Sequence, residues 1–196
     1  VIVENDIRIV TLQSWELSVV RSMTATWDYP GRSNIRGRED RAGTLGTDAL
    51  VGQIGTYAGL KFLYGASCLD KYLTGRWHAN RRKFEGDGGS DVDALNLDFK
   101  ASLRRDPSKP LLSYNLAVRP RERHDDWTYI LAIVGSLAGE QALVYILGWA
   151  STAMIPDTPA EDGPLAGAHL LHARELHPLP PFKWRYFERC APCLLN

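Results

Sequence analysis

Two nearly uninterrupted apolar stretches, Trp127–Val134 and Ala142–Trp149, constrain what this chain can fold into more than any other feature. Gly135, Gly139, Glu140 and Gln141 break the run between them, so two strands and a turn explain it better than a membrane-spanning segment. Neither stretch alternates apolar with polar residues, which predicts burial on both faces. A sheet whose central strands are buried on both sides needs a cover on each. The expectation is an α/β fold, a mixed central sheet flanked by helices on both faces.

The chemistry is concentrated just upstream. From Leu95 the residues alternate: Leu95, Leu97, Phe99, Ala101 and Leu103 fall on one face of a strand, and Asn96, Asp98, Lys100 and Ser102 on the other. The apolar face is the core side. The polar face carries a carboxylate and an ammonium about 6.5–7 Å apart along the strand. Asp91 and Asp93 share a face of a shorter preceding segment, and a hairpin folded near Asp93–Ala94 brings an aspartate beside Asp98. Two carboxylates sharing a site repel unless a cation lies between them, and Mg²⁺, a hard ion preferring oxygen ligands, suits that place. A lysine beside it can orient or help deprotonate an attacking water. Asp91 is the expected first ligand if the hairpin is tight. Asp87 serves if Gly88 and Gly89 let the chain bend back, and Asp93 if the turn moves to Leu95–Asn96.

At these residues the sequence resembles the PD-(D/E)xK nucleases, with their restriction-endonuclease-like fold. Their signature is an acidic residue, a spacer, then Asp or Glu, one residue and Lys on a core strand. Asp98-Phe99-Lys100 supplies the second half, with six residues between Asp91 and Asp98, and the surrounding Gly-Asp-Gly-Gly-Ser-Asp-Val looks like phage and plasmid-borne members. The resemblance implies a metal-dependent nuclease acting on DNA. In it Asp91, Asp98 and the carbonyl of Phe99 hold Mg²⁺ (Mn²⁺ substituting), and Lys100 positions the water. It also implies that a glutamate from an early helix joins the site, for which Glu16 is the candidate.

Zero net charge offers no global attraction to nucleic acid, so a binding surface has to come from segregated charge. Arg76, Arg81, Arg82 and Lys83 precede the motif; Arg104, Arg105, Lys109, Arg119, Arg121 and Arg123 follow it. Of these, Arg81, Arg82, Lys83, Arg104, Arg105 and Arg121 are the expected nucleic-acid contacts. Double-strand cleavage would favour a homodimer. Three cysteines form no disulfide framework, and the residue usage together with an N-terminus lacking a signal-peptide pattern suits a cytoplasmic protein with no membrane association. Cys190-Ala-Pro-Cys193 has the spacing of a zinc half-site but no second pair; a terminal pair of thiols is the favoured reading.

Along the chain, Ile7–Val10 reads as an edge strand. A helix capped by Ser14 follows, with Leu12, Trp15, Val19, Val20, Met23 and Trp27 on its apolar stripe. Residues 31–47, rich in Gly and Arg, read as a long loop. Asp48–Tyr64 is a second helix in which Gly52, Gly55 and Gly59 form a small-residue stripe. Each glycine costs about 1 kcal/mol of helix propensity, tolerable only where another backbone packs close. Residues 66–85 read as a helix end and then an irregular or stranded basic segment, Leu111–Val118 as a strand, and 121–126 as a hairpin tip. A nuclease-like core over 1–155 would be followed by a Pro-rich C-terminal arm, 156–196, packed on it. That arm would hold a short helix near Leu165–Leu176 and the aromatic-basic run Phe182–Phe187.

Three readings follow in order of preference: a Mg²⁺-dependent nuclease, a non-cleaving nucleic-acid-binding module on the same fold, and an α/β structural or virion protein in which Asp98 and Lys100 form a plain strand ion pair.

Overall fold

The computed structural model describes residues 1–25, 45–81, 96–163 and 165–179, apart from the side chains of 45–46 and 76–81. In chain order the elements are β1 (Arg8–Leu12), α1 (Ser14–Ala25), α2 (Leu45–Tyr64), α3 (Cys68–Arg81), β2 (Leu97–Leu103), β3 (Asn115–Val118), β4 (Thr128–Val134), β5 (Ala142–Ser151) and β6 (His169–His172). Four strands make one mixed sheet in the order β1-β5-β4-β2. β4 runs antiparallel to β5 and parallel to β2, and β1 lies antiparallel against the other side of β5. β3 and β6 form a separate antiparallel ribbon.

The two apolar stretches are the central strands; Tyr129–Val134 is buried throughout, whereas β5 leaves Leu143 exposed and Tyr145 and Trp149 half-buried. Alternate residues of β4 feed two different cores. Ile130, Ala132 and Val134 pack with β1, β2 and the three helices, whereas Tyr129, Leu131 and Ile133 pack with Leu116, Val118, Leu171, Ala173 and Leu176. The covers are therefore unlike. Among the described residues helices lie on one face only, where the expectation was of helices on both; the β3–β6 ribbon with its short 3-10 turns covers the other. Leu111–Ser113 is one such turn, so the strand expected over Leu111–Val118 is confined to β3. Residues 121–126 close no hairpin, because β3 pairs with β6 and not with β4. The helix expected near Leu165–Leu176 is β6 and another 3-10 turn. Gly167 at φ +80° turns the chain just before β6, and pairing with β3 fixes the extended form there.

On the helical face, α2 lies against β2 at its small-residue stripe. A methyl on Gly55 would run into the Cβ of Ala101, and one on Gly59 into the ring of Phe99. Two glycines thus bring the helix backbone down onto the apolar face of the motif strand. α3 replaces the irregular segment expected after residue 66. Among its described side chains Cys68 and Tyr72 are strongly buried. Tyr72 donates from its hydroxyl to Gln53 Oε1 on α2 at 2.9 Å. In α1 the buried residues are Glu16, Leu17 and Val20, while Trp15 is 53% exposed and lies off the stripe assigned to it. Among the described residues no helix is long and apolar enough to cross a membrane.

Candidate active site

Phe99 and Ala101 face α2, so strand alternation turns Asp98 and Lys100 to the opposite face, beneath the β3–β6 side. This is the parity the sequence implies. β2 starts at Leu97, and Asn96 just before it takes φ +48°, a left-handed conformation that asparagine tolerates better than most residues. Asp98 therefore sits near the amino end of the strand.

The topology then decides what reaches it. Because β4 is parallel to β2, the segment leading into β4 has to return to the amino end of β2. Residues 119–127 do this, and they carry Glu122 to the site. Lys100 Nζ lies 2.7 Å from Asp98 Oδ2 and 2.9 Å from Glu122 Oε2. The Asp98 side chain is 5% exposed, that of Lys100 19% and that of Glu122 27%. One ammonium thus holds together two carboxylates from distant parts of the chain in a largely buried setting.

Burial pulls the Lys100 ammonium toward losing its proton, but the charges and hydrogen bonds of Asp98 and Glu122 outweigh it and hold its pKa above the ordinary lysine value. In this arrangement Lys100 is a cationic donor rather than a base. Burial would raise the Glu122 carboxyl; Lys100 first, and Arg119 after it, hold it below the usual carboxylate range. Glu122 is locked in turn. Its carbonyl accepts a hydrogen bond from the Tyr129 hydroxyl at 2.9 Å, and that hydroxyl accepts one from the His124 backbone N–H at 3.0 Å. Tyr129 is fully buried and stands opposite Asp98 in the parallel ladder.

The main chain of β2 adds one feature. Asn96 O accepts from Thr128 N, and Arg104 N donates to Val134 O, so even-numbered residues of this strand turn their backbone groups toward β4. The odd-numbered ones, Phe99 included, direct their carbonyls to the other edge.

Several expected site residues lie elsewhere. Glu16 belongs to the helical face, on the far side of the sheet from Asp98. Glu16 Oε2 accepts from the Gln13 N–H at 2.7 Å and pairs with Lys61 Nζ at 2.6 Å, and Lys61 also donates to the Thr11 carbonyl. This carboxylate caps α1 and ties it to α2 and β1, which accounts for its burial without a metal. Arg104 and Arg105 follow the opposite end of β2, four and five residues beyond Lys100, or about 13–17 Å on. Arg104 binds the turn it starts, donating to the carbonyls of Pro107 and Lys109; Arg105 is exposed. Arg121 does lie at the site, exposed, with its Nε 4.0 Å from Glu122 Oε1. Asp91, Asp87, Asp93, Arg82, Lys83, Cys190, Cys193 and the run Phe182–Phe187 lie outside the described residues, as does the side chain of Arg81.

The donors on β2 are hard oxygen, the Asp98 carboxylate with the Phe99 carbonyl on the adjoining edge, while Glu122 is engaged by Lys100. That chemistry fits Mg²⁺ rather than a soft metal. Among the described residues no group of three or more His, Cys, Asp and Glu side chains is arranged to hold a metal ion. Glu122 escaped the sequence reading because it sits in an Arg-Glu-Arg-His-Asp-Asp loop whose charges look solvated. Only the parallel register of β2 and β4 reveals where that loop returns. In comparisons with protein-family models, curated proteins and solved structures, the chain matches none.

Proposed function

We propose that this chain is a metal-dependent phosphodiester hydrolase acting on DNA, with its site at the amino end of β2. The observation that carries this reading is the buried grouping of Asp98, Lys100 and Glu122 on one face of a strand that also bears the Asp-x-Lys signature. Burying charged groups costs several kcal/mol each even when they are paired, and apolar side chains of similar size commonly serve stability as well. A grouping of this kind at the mouth of two parallel strands is better accounted for by chemistry than by folding. The resemblance to PD-(D/E)xK nucleases supports the same assignment.

Asp98, Asp91 and the Phe99 carbonyl would hold Mg²⁺, which when bound supplies a Lewis acid for the scissile phosphate and its water. Lys100 donates hydrogen bonds into the same space, fixing the water and facing the nonbridging oxygens where negative charge grows. Arg121, exposed beside the triad, lies where a flanking phosphate would approach. In the reaction a water oxygen bonds to phosphorus, one bridging P–O bond breaks, and the departing oxygen takes up a proton.

Incubation with supercoiled plasmid, linear duplex and single-stranded DNA, in Mg²⁺ and in EDTA, tests the proposal. Strand scission in Mg²⁺ that EDTA stops is the expected result. No scission of any of the three substrates in Mg²⁺ or Mn²⁺ overturns it.

A further inference from the structure

The triad contains a conflict that the proposed chemistry has to resolve. Lys100 Nζ sits on Asp98 Oδ2, the carboxylate assigned to the metal. A dication taken up by Asp98 repels an ammonium a few ångströms away, and neither charge is well screened in a setting this buried. Held by Asp98 alone, Lys100 would be expelled from the site as the metal arrived. It would then be absent when the phosphate came.

Glu122 offers a second hold, from a turn outside β2. Its Oε2 lies 2.9 Å from Lys100 Nζ, and its backbone is bolted through the Tyr129 hydroxyl to the ladder position opposite Asp98. The 3-10 turn Pro120–Glu122 stiffens the approach: Pro120 presets the backbone, and the Glu122 N–H donates to the Arg119 carbonyl at 2.8 Å. Glu122 thus offers Lys100 a second carboxylate from a tied-down turn.

We infer that Glu122 is a positioning residue that keeps the Lys100 ammonium at the site independently of Asp98, leaving Asp98 free to bind a divalent cation. The inference rests on the nuclease reading for its purpose, not for its physical content. Glu122 binds no metal in this scheme. It stands to Lys100 as an outer-shell carboxylate stands to a metal-bound histidine, fixing the group that does the work.

The experiment follows the Lys100 side-chain ammonium by ¹H–¹⁵N NMR, where hydrogen-bonded lysine ammoniums are visible and free ones exchange away. Wild type, Glu122→Ala, Glu122→Gln and Asp98→Asn are compared with and without saturating Mg²⁺, alongside Mn²⁺ affinity by calorimetry and steady-state cleavage. The signal is expected to survive Mg²⁺ in wild type, to survive in Asp98→Asn, to be present in metal-free Glu122→Ala through Asp98 but vanish there in Mg²⁺, and to return in Mg²⁺ in Glu122→Gln, which keeps an acceptor oxygen in place. Glu122→Ala should lower kcat by about 10–100-fold with KM unchanged, and leave Mn²⁺ affinity as in wild type. A signal that persists in Mg²⁺-saturated Glu122→Ala or vanishes in Asp98→Asn overturns the inference. So does a loss of Mn²⁺ affinity in Glu122→Ala as large as that in Asp98→Asn, which would make Glu122 a ligand. If wild type neither cleaves nor binds metal, the nuclease reading fails alone; the metal-free spectrum of Asp98→Asn still decides whether Glu122 holds Lys100 without Asp98.

Discussion

The hydroxyl of Tyr129 donates to the backbone carbonyl of Glu122 at 2.9 Å, from a position directly opposite Asp98 in the parallel ladder of β2 and β4. One buried phenol therefore ties the loop that carries Glu122 to the ladder position beside Asp98. Tyr129→Phe keeps the ring and its packing but removes this bond and the one accepted from the His124 N–H.

The glycine stripe of α2 gives a stability prediction with its own control. Gly59→Ala should destabilise the fold by about 1–3 kcal/mol, since its methyl meets the Phe99 ring and overpacking exceeds the gain of about 1 kcal/mol in helix propensity. Gly52 has nothing within 4 Å of where its Cβ would stand, so Gly52→Ala should stabilise by about 0.5–1 kcal/mol. Urea denaturation of the two variants reads both signs, and shifts in the same direction would contradict the packing described.

Much of this architecture was legible before any coordinates. The unbroken apolar character of Trp127–Val134 and Ala142–Trp149 required burial on both faces, and parity put Asp98 and Lys100 together on the face away from Phe99. The nature of each cover was not legible. Double burial demands two layers without saying whether helix or ribbon supplies them, and the His-Leu-Leu-His of β6 suits either until β3 claims it. α3 was hidden because the basic run from Arg76 to Lys83 breaks any apolar period in its second half. Glu122 was hidden for a topological reason, since nothing local marks one glutamate in a charged loop as the one that returns to a strand twenty-odd residues earlier.

Glu16 separates stability from catalysis. Glu16→Gln should cost about 1.5–3 kcal/mol, the worth of hydrogen bonds to a charged group, because it weakens the link to Lys61 and the cap of α1. Cleavage per folded molecule should match wild type, measured below the variant's unfolding temperature. A large drop in kcat without loss of stability would bring Glu16 back to the active site.

The lowered pKa of Glu122 fixes the sign of an acid effect. Above its ordinary value of 4.5 the carboxylate is ionised in both folded and unfolded chains, and its attraction to Lys100 is fully present. As pH falls below 4.5 the unfolded chain binds the proton first, and this stability is lost on the way down through the lowered folded value. In EDTA, the urea midpoint of wild type should therefore fall more steeply below pH 4.5 than that of Glu122→Gln. Parallel curves would mean the pair with Lys100 contributes nothing to folding.

Arg121 and Arg104 make opposite predictions for nucleic-acid affinity. Arg121 stands exposed at the site, so Arg121→Gln should flatten the dependence of log affinity on log salt by about 0.9 for one duplex phosphate contact. Arg104 is engaged by the turn it begins, and Arg104→Gln should leave the slope unchanged. The reverse pattern would put the nucleic acid at the other end of β2.

The most direct test of the account is Asp98→Asn, assayed for plasmid cleavage in Mg²⁺ at matched folded concentration. Asparagine is nearly isosteric, and the Lys100–Glu122 pair remains to hold the local structure. The account predicts that circular dichroism and the urea midpoint stay close to wild type while Mg²⁺-dependent scission is lost. A folded Asp98→Asn protein that cuts as fast as wild type would contradict it.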